Sequence, residues 1–456
     1  MSRQKRNWGV DSAFALAVLI IYLGGQVLIG TYLPTDRSLH FDAPADGDFL
    51  YYAGIINQMK HSFPPQNPGY GGITLSQSFV QYYPTVLASF VMNPYLAMRV
   101  VNIMLLLALA YVLRRYFPKG WGIGLALVTA SSIGFGLINS LAVDLVARGF
   151  NHFPFFIALT VALFEQKNRW LKYVCLFLLG WLHSFSALIV FVYFVAVFLF
   201  HRFKKPELAD SLICLAGLLT AAGITAGVAD KPPYFPFVEG FGISLRHVWM
   251  HAVPAALLVA SAGNARITIL AGVAFVYALL FHYNPFFPVF MLYFAGGWGG
   301  MELVRNRRMS LGAPVVLAAI LFIGFLYSSQ TKYDPRNGQF APHFDQDYAQ
   351  AGEWLEKNTA ADAVLLTAPL ESDWNCRLME TRAVYLGFPP HIAHLGIDWR
   401  QRAQKILNYY RKPSVYMAET DYVVYGPNER NLFPDFSLDE RPVYRDGLVA
   451  IWKVAR

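Results

Sequence analysis

Two carboxylates spaced two residues apart, Asp46 and Asp48, close the acidic stretch that begins at His40-Phe41-Asp42, a few residues beyond a long apolar segment, Ala13 to Leu33. A charge at that depth is expensive unless it faces water or a binding cavity, so the position marks a functional-site hypothesis. At this spacing the two groups can share a divalent cation such as Mg or Mn, or perturb each other's proton affinity. Either one, ionised, can take the proton from an acceptor hydroxyl. A local role is compatible with both: Asp46 caps a helix that starts after it, and Asp48 favours that helix's positive end.

A reaction that releases an anionic phosphate also needs cations. Arg148 and His152 lie in Arg-Gly-Phe-Asn-His-Phe-Pro at the entrance of one apolar span, and Arg246 and His247, with His251 one turn later, at the entrance of another. Arginine grips phosphate oxygens in a planar fork; the plainer reading is a long side chain snorkelling to lipid headgroups. Gln77 and Tyr82, and the loop pair His391 and His394, are candidate substrate contacts, with structural packing as the alternative. His183 and His282, at span ends, read as structural histidines, because their spacing specifies no metal site. Cys175, Cys214 and Cys376 imply neither a disulfide framework nor a metal centre.

The elements that must position these groups are membrane helices. Of the residues 55% are hydrophobic and 14% charged, with a mean hydropathy of +0.37. Repeated apolar runs of span length exclude a soluble domain. About eleven spans are expected, near residues 10–33, 95–116, 120–140, 152–166, 170–183, 184–202, 208–228, 247–263, 266–282, 285–304 and 312–330. Basic residues crowd one side: Arg3, Lys5, Arg6, Arg114, Arg115, Lys119, Lys167, Arg169, Lys172, Arg202, Lys204, Lys205, Arg266, Arg305, Arg307 and Arg308. Only Arg37, Lys60, Arg99, Arg148, Lys231 and Arg246 fall on the other. The positive-inside rule then places a retained first helix with its N-terminus in the cytoplasm of an inner-membrane protein. An odd span count puts the C-terminus outside. The pI of about 9.2 reflects this basic rim, which suits anionic headgroups and calls for no nucleic acid.

Two regions are not spans. In the loop 34–94, Phe49, Tyr52, Ile56, Met59 and Phe63 form one apolar stripe on a short helix, started at Asp46 and stopped by Pro64-Pro65. Such a helix is expected to lie flat on the membrane. The tail, 332–456, carries fifteen basic and seventeen acidic residues and is long enough for its own core. Tyr348 to Asn358 and Arg400 to Tyr410 read as helices, and Ala363 to Thr367 and Tyr422 to Tyr425 as strands. Residues 1–331 thus form a transmembrane unit and 332–456 a small extracytoplasmic α/β domain.

Asp48, the stretch Phe63-Pro64-Pro65-Gln66-Asn67-Pro68-Gly69-Tyr70-Gly71-Gly72 and Gln81-Tyr82-Tyr83 resemble the first extracytoplasmic loop of GT-C-fold glycosyltransferases, in their polytopic prokaryotic branch. Glu353 to Thr359, Tyr385-Leu386-Gly387-Phe388 and Asp421 to Arg430 are similar to the tails of the same proteins. The resemblance implies a polyprenyl-phosphate-linked sugar donor, a glycan, lipid or protein acceptor, and chemistry on the outer face. It also implies a loop aspartate as general base or metal-associated carboxylate, which falls on Asp48 first and Asp46 second. No signature tail motif of oligosaccharyltransferases is present, which argues against transfer of a preassembled glycan to asparagine. A lipid-sugar flippase or transporter is the competing reading, and a catalytically silent scaffold a third. Transporters commonly show paired broken helices and internal repeats, and neither is evident in the sequence.

The sidedness is directly measurable. A cysteine engineered at an exposed tail position is expected to react with a membrane-impermeant reagent in intact cells; labelling only after lysis would reject the topology.

Overall fold

The computed structural model describes residues 11–13, 15–20, 47–75, 79–118, 120–122, 125, 153–200, 205–228, 265–280, 298, 301, 346–368, 378–387, 392, 398–413 and 419–454. Among the described residues, 11–13 and 15–20 are helical, and further helices outside the tail are α1 (Gly47–His61), α2 (Tyr83–Ala88), α3 (Pro94–Tyr116), α4 (Phe153–Phe164), α5 (Arg169–Leu182), α6 (Ser184–Phe200), α7 (Lys205–Val228) and α8 (Ala265–Leu280). The last six coincide with expected spans. The expected spans 247–263 and 312–330, and most of 10–33, 120–140 and 285–304, lie outside the described residues.

Among the described residues, Pro94–Tyr116 and Pro206–Gly223 are each long and apolar enough to cross a membrane. At 1.5 Å per residue α3 is about 34 Å long, enough for the hydrocarbon core of a bilayer. Met104 and Tyr111 on α3 are 63% and 67% exposed, and Leu212 and Leu219 on α7 are exposed as well. In water such stripes would forfeit about 25 cal/mol for every Å² left uncovered; against lipid tails they lose nothing.

One end of the bundle is tied by carboxylates. Glu165, just past α4, accepts from Arg115 Nη2 (3.0 Å) and Tyr116 Oη (2.7 Å) at the end of α3. Its other oxygen accepts from the Lys167 and Asn168 backbone N–H groups (2.9 and 3.0 Å), and Asn168 in turn caps α5 through Leu171 N. Lys172 of α5 pairs with Asp210 of α7, and Asp11 accepts from Gly120 N and Gly122 N. Between those ends α5 and α7 touch backbone to backbone. A Cβ on Gly180 would stand 2.5 Å from the Gly217 carbonyl carbon, and one on Gly217 would stand 2.1 Å from the Phe177 oxygen. Small residues at such crossings let dispersion and close packing hold helices together where lipid offers no hydrophobic drive.

At the other end of α3 lies the tail. Its elements are α9 (Gln346–Asn358), β1 (Val364–Leu366), β2 (Ala383–Val384), α10 (Arg400–Arg411), β3 (Tyr422–Tyr425), α11 (Pro427–Leu432), β4 (Tyr444–Asp446) and β5 (Val449–Lys453). They build one five-stranded mixed sheet in the order β2-β1-β3-β5-β4. The β1 strand pairs in parallel with β2 and β3, and β5 antiparallel with β3 and β4. Alternation along the strands gives the sheet two buried faces. Leu365, Val384 and Val424 join a core continuous with α9, α1 and the bundle. Val364, Leu366, Val423 and Tyr425 join a second core with Ile406 and Tyr410 of α10.

Two buried charges brace this layer. Arg382 donates to Leu355 O, Glu356 O and Thr359 O (3.2, 3.0 and 3.0 Å), satisfying the last carbonyls of α9 with a cation at the negative end of its dipole. Glu429 opens α11 and accepts from Gly426 N (2.9 Å), Ala368 N (3.0 Å) and Tyr348 Oη (3.0 Å), joining α11, the end of β1 and α9. Burial pushes the Glu429 carboxyl above its ordinary value of 4.5, against the pull of those donors. A raised folded-state value means that its contribution to stability is full below 4.5 and is lost as pH rises through the raised value. Relative to wild type, the melting temperature of Glu429→Gln is expected to climb between pH 4.5 and 7.5. Thermal unfolding of both proteins across that range checks it, and parallel curves would contradict the burial argument.

Candidate functional site

The loop carboxylates introduce α1. Asp48 is its second residue and Asp46 immediately precedes the helix, outside the described residues. Arg148, His152, Arg246, His247, Gln77, His391 and His394 also lie outside the described residues. The positive end of α1 therefore starts at the carboxylates, where a negative charge is favoured. Among the described residues no three His, Cys, Asp or Glu side chains converge as a metal site.

Sequence periodicity gave α1 one apolar stripe; the structure buries it on several sides. Phe49 and Ile56 of the stripe are buried, but so are Leu50, Tyr51, Ala53 and Ile55. On the bundle side, Tyr52, one turn past Asp48, meets the ring of Tyr82 at 5.7 Å. Tyr82 ends a short 3-10 turn, Val80–Tyr82, and is 1% exposed. Near the far end, the Lys60 ammonium stands 5.9 Å from the Phe90 ring. Burial draws its pKa down, and Glu356 opposes this.

The tail covers the opposite side of α1. Asn57 Nδ2 donates to Glu380 O (2.6 Å) and Gln58 Nε2 to Ala361 O (3.5 Å). Gly54 is required here: a Cβ would stand 2.5 Å from the Met379 carbonyl oxygen and 2.6 Å from Pro68 Cβ. Tail and loop helix are thus in van der Waals contact along their backbones. The helix is a middle layer, buried against residues far away in sequence on more faces than the one stripe predicted.

A strap follows α1. Asn67 N donates to Ile73 O (2.8 Å) and Leu75 N to Pro65 O (2.8 Å), while Asn67 Oδ1 accepts from Gly69 N (3.0 Å), which folds Gln66–Thr74 into a compact turn. This turn pairs with the outer edge of the sheet: Val384 N donates to Pro68 O (2.9 Å), Gly71 N to Val384 O (2.7 Å) and Gly387 N to Gly69 O (2.7 Å). Arg402 of α10 locks the joint. Its guanidinium carbon lies 3.6 Å from the Tyr70 ring centre and 4.2 Å from that of Tyr385. Its Nη1 donates to Gly71 O (2.8 Å) and Tyr385 O (2.6 Å). A half-buried cation between two rings gains on the order of 1 kcal/mol from each. Tyr385 also hydrogen-bonds Glu419 through its hydroxyl, and that bond draws the Glu419 carboxyl below its ordinary value. Sequence reasoning missed Gly54 and Arg402, which meet Met379 and Gly71 across hundreds of positions, and Arg382, whose partners lie 23 to 27 positions back. The Gly447-Leu448 turn of the β4–β5 hairpin, with Gly447 at φ +51°, did carry a recognisable signal, a glycine at the first loop position.

A helical bundle tied at one end, a carboxylate-bearing loop helix at the other and an α/β sheet closing over that helix make up a fold that solved structures share. Among solved structures, ArnT from Cupriavidus metallidurans bound to undecaprenyl phosphate matches with a TM-score of 0.53 at 10% identity, covering 97% of this chain and 97% of that chain. ArnT from the same organism in the apo state matches at 0.49 and 11% identity, over 99% of this chain and 98% of that one. The Archaeoglobus fulgidus oligosaccharyltransferase tethered with an acceptor peptide containing the NVT sequon matches at 0.40 and 11% identity, over 93% and 70%. No protein-family model matches the sequence, and comparison with curated proteins finds no relative.

The covered face of α1 has a direct test. Gly54→Leu is expected to wedge tail and loop helix apart at a cost of about 1–3 kcal/mol, the usual penalty of overpacking. It should lower the melting temperature of the detergent-solubilised protein and open the strap to protease. An unchanged melting temperature would show that the contact is not tight.

Proposed function

We propose that this chain is a glycosyltransferase that moves a sugar from a polyprenyl-phosphate donor to an acceptor on the extracytoplasmic face of the inner membrane. The observation that carries the reading is the fold shared along the whole chain with a protein crystallised on undecaprenyl phosphate. The opening of α1 at Asp48, in a helix held by bundle and tail together, supports it. In this reading eleven spans run through residues 1–331, the N-terminus is cytoplasmic, and 332–456 is an extracytoplasmic α/β domain.

The chemistry is a single displacement. Asp48 takes the proton of the acceptor hydroxyl, and the oxygen attacks the anomeric carbon. The bond to the phosphate oxygen breaks with its electron pair, releasing polyprenyl phosphate and inverting the anomeric centre. Arg148 and Arg246, with His152 and His247, neutralise the departing phosphate, the effect that contributes most when charge develops away from water. Asp46 either caps α1 or joins Asp48 on a divalent ion. Gln77, His391 and His394 are the proposed contacts to donor or acceptor, whereas Tyr82, expected as a further contact, is buried against Tyr52 and packs the loop.

Asn matches Asp in shape without its proton affinity. Asp48→Asn is therefore expected to reduce transfer on the order of a hundredfold or more, with expression and donor binding retained. Asp46→Asn should be milder if Asp46 only caps, and comparable if both hold a metal. The assay is sugar transfer from a polyprenyl-phosphate donor by purified protein, with and without chelator. Near-normal turnover by a folded Asp48→Asn variant would sink the mechanism.

A further inference from the structure

We infer that Arg402 is a positioning residue: by clamping the strap to the sheet edge it fixes where α1, and with it Asp48, stands against the bundle. The route from Arg402 to α1 is short. Arg402 holds Gly71 O and the Tyr70 ring, and the strap's Pro68 lies against Gly54 of α1. Four residues, two of them the prolines Pro64 and Pro65, connect His61 to Gln66, so the link between helix and strap is short and stiff.

The bonds of Arg402 also distinguish it from a general brace. They run to the strap and to Tyr385 just beyond β2, whereas the β1–β3–β5–β4 ladder is complete without it. Its neighbours on α10, Arg400 and Lys405, are surface residues whose ion pairs are made with Asp398 and Glu419. Loss of Arg402 should therefore loosen one joint and leave sheet and bundle standing. The placement of α1 stands on contacts alone; its link to turnover rests on the glycosyltransferase reading above.

The experiment uses the full-length protein and two readouts. Arg402→Ala is expected to speed amide exchange across residues 47–61 by about tenfold, with residues 422–425 and 449–453 unchanged. Its turnover number should fall on the order of tenfold or more, with the donor KM nearly unaltered, because geometry and not donor affinity is lost. Arg402→Lys keeps the charge without the planar stack and should fall between. A Cβ on Gly71 would lie 2.6 Å from Val364 Cγ1, so Gly71→Cys with Val364→Cys is within disulfide reach. In the Arg402→Ala background the oxidised crosslink should restore exchange and turnover, and reduction should abolish the rescue.

Unchanged exchange at 47–61, a formed crosslink that rescues neither readout, or unchanged turnover in Arg402→Ala beside an active wild type would each overturn the inference. So would collapse of the 422–425 and 449–453 amides in both Ala and Lys variants, which would make Arg402 a plain structural brace. Absence of transfer by the wild type would defeat the glycosyltransferase reading instead, and the exchange arm would still decide the placement of α1.

Discussion

A sheet edge must find partners for its backbone, and the edge at β2 shapes everything around it. Val384 exposes one N–H and one C=O outward, and burying them unpaired would cost about 1–3 kcal/mol each. The chain covers them with its own strap, through Pro68 O and Gly71 N. Since the strap follows α1 after a few residues, covering the edge also draws the loop helix beneath the sheet. Gly54 then sets how near the two backbones come, and the continuous core from bundle through α1 to Leu365 and Val424 follows.

The opposite end of the bundle solves a related problem by other means. Glu165 satisfies two backbone N–H groups and two side chains at once, so three helix ends meet on one carboxylate. The contact of Gly180 with Gly217 between α5 and α7 adds dispersion where no water can be expelled. The bundle is rigid at this end through charge and at its middle through close approach, which leaves its other end as the platform for α1.

Local signals in the sequence were readable where local physics decides the outcome. Pro94–Tyr116 declares itself by length, apolar content and Asn93 as a cap whose side-chain oxygen accepts from Tyr95 N. The helices α9 and α10 and the strands β1 and β3 follow from apolar spacing in short windows. Strand β2 has only two residues, too few for any period to show. The start of the loop helix near Asp46 was legible from capping chemistry and the Pro64-Pro65 stop. Its second buried face was not, because Gly54 acquires meaning only beside Met379. Arg382 and Arg402 look like ordinary surface charges until α9 and the strap are in place. Glu429 looks like a routine first-turn acid, although burial makes it the junction of three elements.

The contact between Asn57 and Glu380 spans 323 positions of chain. At roughly 5–20 residues per second, a ribosome needs on the order of tens of seconds to lay down that interval. Throughout that time the nascent loop helix lacks the cover that the tail gives it. The strands that complete the sheet over it are made only after that interval. Assembly is therefore gated by residues 346–454, and a chain cut short within them leaves the loop helix exposed, an address for quality-control proteases.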